Sequence, residues 1–120
     1  ATLAGHTIPT ITKTADEFDR PAPRIIAALP VCVTTDKVAA AERAAKVFAV
    51  YGTLPSYRAM LDREGAAGPA DIAIMGSIGE VQDRVAALAD IGVTDFAAVE
   101  FGATPEEIAN TRDAIKGLLK

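Results

Sequence analysis

The sequence predicts an α/β fold in which two buried parallel strands alternate with five helices. Three observations carry this. Residues 24–33 and 95–101 are short runs rich in isoleucine, valine, alanine and phenylalanine, and the first is apolar on both parities, as a strand covered on both faces requires. The connection between them, residues 34–94, is full of helical periodicity, and strands joined by long helical crossovers pair in parallel. Capping signatures mark where the helices begin. A chain of 120 residues is one domain's length, with no room for a second.

The elements follow in chain order. Thr2 is placed to cap a helix running toward Asp19, with Leu3, Ile8, Ile11 and Phe18 as its apolar side and Pro9 as a kink or restart. Arg20-Pro21-Ala22-Pro23 ends it, because the residue before a proline avoids helical geometry. The strand at 24–33 contains Pro30, which lacks an N–H, so a bulge or irregular end is expected there. Thr34-Thr35-Asp36 offers capping oxygens for a helix through Tyr51, with Val38, Ala41, Ala45 and Phe48 on one stripe. Gly52 stops it. Leu54, Tyr57 and Leu61 mark a third helix, closed by Gly65.

Residues 71–75 are too few to separate an extended segment from a helical turn. Ser77-Ile78-Gly79-Glu80 matches a capping box, and Ile78, Val81, Val85 and Leu88 carry the helix that Gly92 closes. After the strand at 95–101, Thr104-Pro105-Glu106-Glu107 combines a capping threonine, proline at the first helical position and glutamate at the third. Two strands do not form a sheet that stands alone, so something further must complete this one.

Composition excludes several classes of function. Sixteen acidic residues against twelve basic ones give a net charge of -4, the wrong sign for nucleic acid or an anionic membrane surface. Half of the residues are hydrophobic, which rules out intrinsic disorder. The longest apolar run, residues 25–33, is far short of the roughly 20 residues that cross a bilayer. A single cysteine forms no internal disulfide, so a cytoplasmic setting is expected. One histidine, His6, expected on a solvated helix face, cannot build a metal cluster or a triad. No phosphate-loop lysine motif or dinucleotide fingerprint is present.

The run Arg24-Ile25-Ile26-Ala27-Ala28-Leu29-Pro30-Val31-Cys32-Val33-Thr34 resembles the C-terminal part of the bacterial luciferase-like monooxygenases, their F420-dependent oxidoreductase branch above all. So do Leu54-Pro55-Ser56-Tyr57-Arg58 on to Gly65, the helix start at Gly76-Ser77, and Gly92-Val93-Thr94-Asp95-Phe96. The likeness extends over essentially the whole chain, including Thr2-Leu3-Ala4-Gly5-His6 and Ile8-Pro9-Thr10. These are framework motifs rather than catalytic ones. The resemblance implies a (β/α)8 TIM barrel, an architecture of about 250 residues. The chain is then its C-terminal part, a fragment beginning mid-fold, with the first helix as the sixth of the barrel and the two strands as the seventh and eighth. It implies a parent enzyme that transfers hydride to or from a small-molecule substrate, or activates oxygen, at bound F420 or FMN. The fragment alone is expected to be inactive and to bind no cofactor. Its expected partner is the missing N-terminal part of the barrel or a second copy of the chain, so a homo-oligomer is expected.

Barrel enzymes place reactive groups at the C-terminal ends of strands and in the loops beyond. Those places hold Cys32 and Thr34 after the first strand and Glu100 at the end of the second. Glu100 can orient a substrate or take a proton if its surroundings tune it, and otherwise is a solvated charge or an arginine's partner. Cys32 either lines a pocket or is a small core residue, the commoner role of a lone cysteine in an apolar strand. Tyr57 and Arg58 open a helix where a lid is expected. Arg58 is suited to clamp an anion, but pairing with Asp62 at helical spacing is the simpler account. Gly76-Ser77 and Gly102-Ala103-Thr104 precede helix starts that can hold phosphate, a weak signal. No residue is assigned a catalytic role or a metal. A self-contained α/β binding or regulatory module that dimerises to cover its sheet is the alternative reading.

Overall fold

The computed structural model describes residues 1–119. It is an α/β fold of five α-helices around a parallel sheet of three strands, one more than expected. The chain opens with a π-helical turn, Leu3–Thr7, that runs into α1, Ile8–Glu17. Pro9 explains the join: it has no N–H to return to the preceding turn, which widens, and the α-helix restarts around it. Thr2 is not a cap, since its side chain makes no capping bond. The helix ends before the prolines. Asp19 takes a left-handed conformation (φ 51°), Asp19 N–H donates to Asp16 O, and Arg20 N–H reaches back to Ala15 O at 2.8 Å, the closure that left-handed caps provide. Of the expected apolar side, Leu3 and Ile8 are half-buried, Ile8 close to Gly92, while Ile11 is 37% exposed and Phe18, beyond the end of the helix, 72%.

Strand β1, Ile26–Val33, lies in the middle of the sheet. On one side it pairs with β2, Ile74–Gly76, from Val31 onward. On the other it pairs with β3, Asp95–Glu100, from Ile26 to Val31. The third strand is therefore the 71–75 segment, where Pro69–Ile72 forms a short 3-10 turn and β2 follows. Three residues are too few for periodicity to distinguish strand from turn, and only pairing with β1 decides it.

The expected bulge at Pro30 is absent, for the register with β3 runs unbroken from Leu29 through Val31. In a parallel ladder, successive residues point their N–H and C=O alternately to the two neighbours. Ile25 O and Val31 O accept from β3, while Thr34 N–H donates to Gly76 O on the β2 side. Pro30 therefore turns its missing N–H toward β2, which begins only opposite Val31. No ladder bond is lost.

Helix α2, Lys37–Val47, is capped by Asp36, which accepts from Ala39 N–H at 3.0 Å. It ends earlier than Tyr51, passing at Phe48 into a 3-10 stretch, Ala49–Thr53. Helix α3, Pro55–Glu64, stops at left-handed Gly65. Helix α4, Ile78–Asp90, has the full capping box between Ser77 and Glu80. Helix α5, Pro105–Lys116, is capped by Thr104, which accepts from Glu107 N–H.

Because β2 and β3 flank β1 on opposite sides, crossovers of one hand put α2 and α4 on opposite faces of the sheet. Two cores result. On one face Cys32, Phe101 and Ala73 pack with Ala40, Ala44 and Phe48 of α2 and its end. On the other, Val31, Val33 and Ile74 pack with Val81 of α4 and Ala114 of α5. The α2 face is covered only toward the C-terminal ends of the strands. Over the rest of it Ala28 and Ala97 are exposed, Ile26 is 65% exposed and Val99, near the end of β3, 42%.

Candidate functional site

The C-terminal ends of the strands deliver three helix N-termini to one open cleft, lined by Thr34, Lys37, Ser77, Glu80, Thr104, Glu107 and Asn110 among others. Its floor is a polar network. Glu107, at the third position of α5, accepts from Thr34 Oγ1 at 2.9 Å, from Ala103 N–H at 2.7 Å and from the Arg43 guanidinium at 3.2 Å. Arg43 rises from α2 and also donates to Phe101 O at 2.8 Å, where β3 ends. The network thus ties the helix after β1 to the helix after β3. The Ala103 N–H bond, then those from Thr34 and Arg43, hold the Glu107 carboxyl below its ordinary range against the opposing effect of burial.

Beside it, Lys37 Nζ donates to Glu80 at 2.7 Å, and Ser77 N–H donates to the same carboxylate at 2.8 Å. These bonds lower Glu80 to about 2. Gly76 makes this possible. Its φ is +147°, and a Cβ there would sit 2.4 Å from the Glu80 carboxylate. Among the described lining residues Glu80, Glu106 and Glu107 face one cation, Lys37, which Glu80 engages, while Arg43 in the floor is engaged by Glu107, so Glu106 leaves the cleft slightly acidic.

A second, apolar groove of about 260 Å³ lies on the half-bare face, between the strands and the α2–α3 connection. Tyr51 and Tyr57 form its wall, ring centroids 4.8 Å apart, against Pro30, Val99 and Phe48.

The residues singled out in the sequence are dispersed. Cys32 is fully buried in the α2 core, outside both clefts. Burial pushes its thiol pKa up, opposed by a contact from Arg43 at 3.9 Å. Thr34 belongs to the cleft network, and Tyr57 to the apolar groove. Arg58 faces neither. It donates to Asp62 at 2.8 Å and to Ala66 O and Ala67 O, closing the end of α3. Glu100 accepts from Arg112 at 2.9 Å on the outer side of β3. His6 is exposed in the opening turn. Among the described residues, no cluster of histidine, cysteine or carboxylate is arranged to hold a metal.

Sequence reasoning missed Arg43, Tyr51 and the wider role of Glu107. Glu107 was legible as a helix-start glutamate, but its reach to Thr34 and Arg43 depends on the sheet order. Arg43 carries a signal in hindsight: it sits between Ala40 and Ala44, on the buried side of α2, where a charge requires a partner.

No protein-family model, curated protein or solved structure matches the chain. Among the described residues, no helix is long and apolar enough to cross a membrane.

Proposed function

We propose that this chain is the C-terminal part of a luciferase-like oxidoreductase barrel, whose whole works with F420 or FMN on a small-molecule substrate. The observation that carries the reading is the unfinished sheet. Helices α4 and α5 clothe one face, while the other is bare over Ile26, Ala28, Ala97 and Val99, and β3 has no outer neighbour. A barrel segment has this character, with helices outside, small side chains inside and an open edge for the next strand.

The residues present do not by themselves fit a phosphorylated cofactor. At the helix starts Lys37 is already engaged by Glu80 and Arg43 by Glu107, and Glu106 adds a further negative charge, which repels phosphate. When bound in the whole enzyme, the cofactor supplies the hydride or oxygen chemistry. This chain then contributes its three strands and, at Tyr51 and Tyr57, an apolar wall facing the interior. Fluorescence titration of residues 1–120 with F420 and with FMN tests the division of labour. No binding is expected until the N-terminal portion of a luciferase-like barrel is added, and micromolar binding by the chain alone overturns it.

A second reading, a self-contained α/β module, is favoured by a specific observation. A barrel pairs each strand with its sequence neighbours, whereas here β1 lies between β2 and β3, with α2 and α4 on opposite faces. That is the pattern of doubly wound sheets. A sharp cooperative melt of a well-ordered 120-residue chain supports the module, and a molten, non-cooperative chain supports the barrel part.

A further inference from the structure

We propose that the edge of β1 over residues 26–29 is a slot for the C-terminal end of a peptide, which adds as a parallel strand in line with β2 and sets its terminal carboxylate against Arg84. This concerns the chain as a self-contained module and does not rest on the oxidoreductase reading.

Parity defines the slot. Ile25 O and Val31 O accept from β3, so the even-numbered residues of β1 turn their N–H and C=O to the other side. There β2 pairs only from Val31 onward, which leaves both backbone polar groups of Ile26 and of Ala28 without a strand partner. They open into a cleft of about 610 Å³, the size of a ligand site. Met60 of α3 and Ile72 wall it on one face of the sheet, and Leu88 and Ile91 of α4 wall it on the other. A donor and an acceptor that recur at every second residue are matched by another extended backbone, whose side chains meet the two apolar walls in alternation.

Charge sets the direction of the peptide and its end. Arg84 shares a stripe of α4 with Leu88 and Ile91, and its Nη1 donates to Ala73 O at 3.2 Å. Ala73 precedes Ile74, which pairs with Val31, so the guanidinium stands at the end of the slot toward which β1 runs. Glu80, one turn earlier on α4, is engaged by Lys37, and among the described residues no carboxylate forms a salt bridge with Arg84. The two acids of the lining are occupied: Glu64 is held by the nitrogens of Ala1 and Thr2, and Asp71 accepts from Ala67 N–H at 2.8 Å. A peptide parallel to β1 brings its carboxylate to Arg84, where charge-assisted bonds form. An antiparallel one would bring an ammonium there.

Titration with the strand-forming peptide Ac-Ala-Val-Thr-Val, its terminal carboxylate free, tests this by calorimetry and amide hydrogen exchange. A Kd below about 1 mM is expected, with the Ile26 and Ala28 amides protected when the peptide is bound. The same peptide as its C-terminal amide is expected to bind at least about fivefold more weakly, a comparison that leaves the protein untouched. Arg84→Gln is expected to erase the difference between acid and amide. Hexanoate, a carboxylate on an apolar chain with no backbone, is expected to leave Ile26 and Ala28 unprotected. Exchange at Ile26 and Ala28 that the peptide does not slow, equal affinity for acid and amide, or protection by hexanoate overturns the proposal. A cooperative melt alongside any of these results leaves the module reading standing.

Discussion

Thr111 stands in for a missing residue of β3: its Oγ1 accepts the N–H of Val33 at 2.9 Å. Strand β3 ends at Glu100, so the last odd-numbered N–H of β1 has no strand acceptor, and a side chain from α5 takes the place. Thr111 is fully buried, and its hydroxyl donates in turn to Glu107 O at 2.7 Å. Thr111→Val is nearly isosteric and leaves Val33 N–H buried without a partner, a loss of about 1–3 kcal/mol. Thr111→Ser keeps the acceptor. Denaturant melts should show the loss, and exchange of the Val33 amide should quicken in the valine variant only.

Gly76→Ala is expected to destabilise by at least about 1–3 kcal/mol, the cost of holding a side chain in a disfavoured backbone region. The new methyl also meets the Glu80 carboxylate that Lys37 and Ser77 hold. Adding Glu80→Ala removes the collision but not the backbone strain, so the double variant should recover only part of the loss in thermal unfolding.

Glu107→Gln keeps an oxygen acceptor for Thr34 or Ala103 but gives up the charge facing Arg43. Both side chains are about three-quarters shielded, at 26% and 24% exposure, and Arg43 is left without its counter-charge. A loss of roughly 1–3 kcal/mol is expected, the range for hydrogen bonds to charged groups. Arg43→Lys should not rescue the wild-type network, because one ammonium cannot span Phe101 O and Glu107 as a fork does. Equilibrium unfolding of the two variants is the check.

Acid should destabilise the fold over a defined window. Glu80 is lowered from 4.5 to about 2 by Lys37 and Ser77, and Asp95 from 3.8 to about 2 by Arg24 and Thr94. Glu107 is lowered as well. A carboxyl whose folded pKa lies below its unfolded one favours folding above the unfolded value, and that advantage fades as protons bind the native state. Stability should be level near neutrality and fall between about pH 5 and pH 2. Denaturant midpoints across that range report it, and midpoints that rise on acidification contradict it.

The thiol of Cys32 should resist a soluble disulfide reagent in the native state and react at once in denaturant. It is fully buried, and burial pushes its pKa up. Rapid labelling of the folded chain would contradict its place in the α2 core.

The helix starts were legible because caps are local. Ser77 with Glu80 and Thr104 with Glu107 make the expected bonds. What required three dimensions was pairing. Residues 74–76 are a strand only because Val31–Val33 lie beside them, and Pro30 is harmless only because of which neighbour its nitrogen faces. The site divides in the same way. Thr34 and Tyr57 lie at clefts, as strand-end and loop logic suggests, yet Arg43 joins Thr34 only through Glu107, across two helices. Arg58 and Glu100 were legible in their plainer roles, each held by a charged neighbour twelve or fewer positions away.

The central claim is that the sheet is unfinished, and amide exchange along β1 tests it most directly. On the β3 side the N–H groups of Ala27, Leu29 and Val31 are bonded, whereas those of Ile26 and Ala28 face the side where β2 has not begun. Exchange should alternate along the strand, slow at Ala27, Leu29 and Val31 and fast at Ile26 and Ala28. Equally slow exchange at Ile26 and Ala28 would mean that this edge is already paired, and would contradict the account.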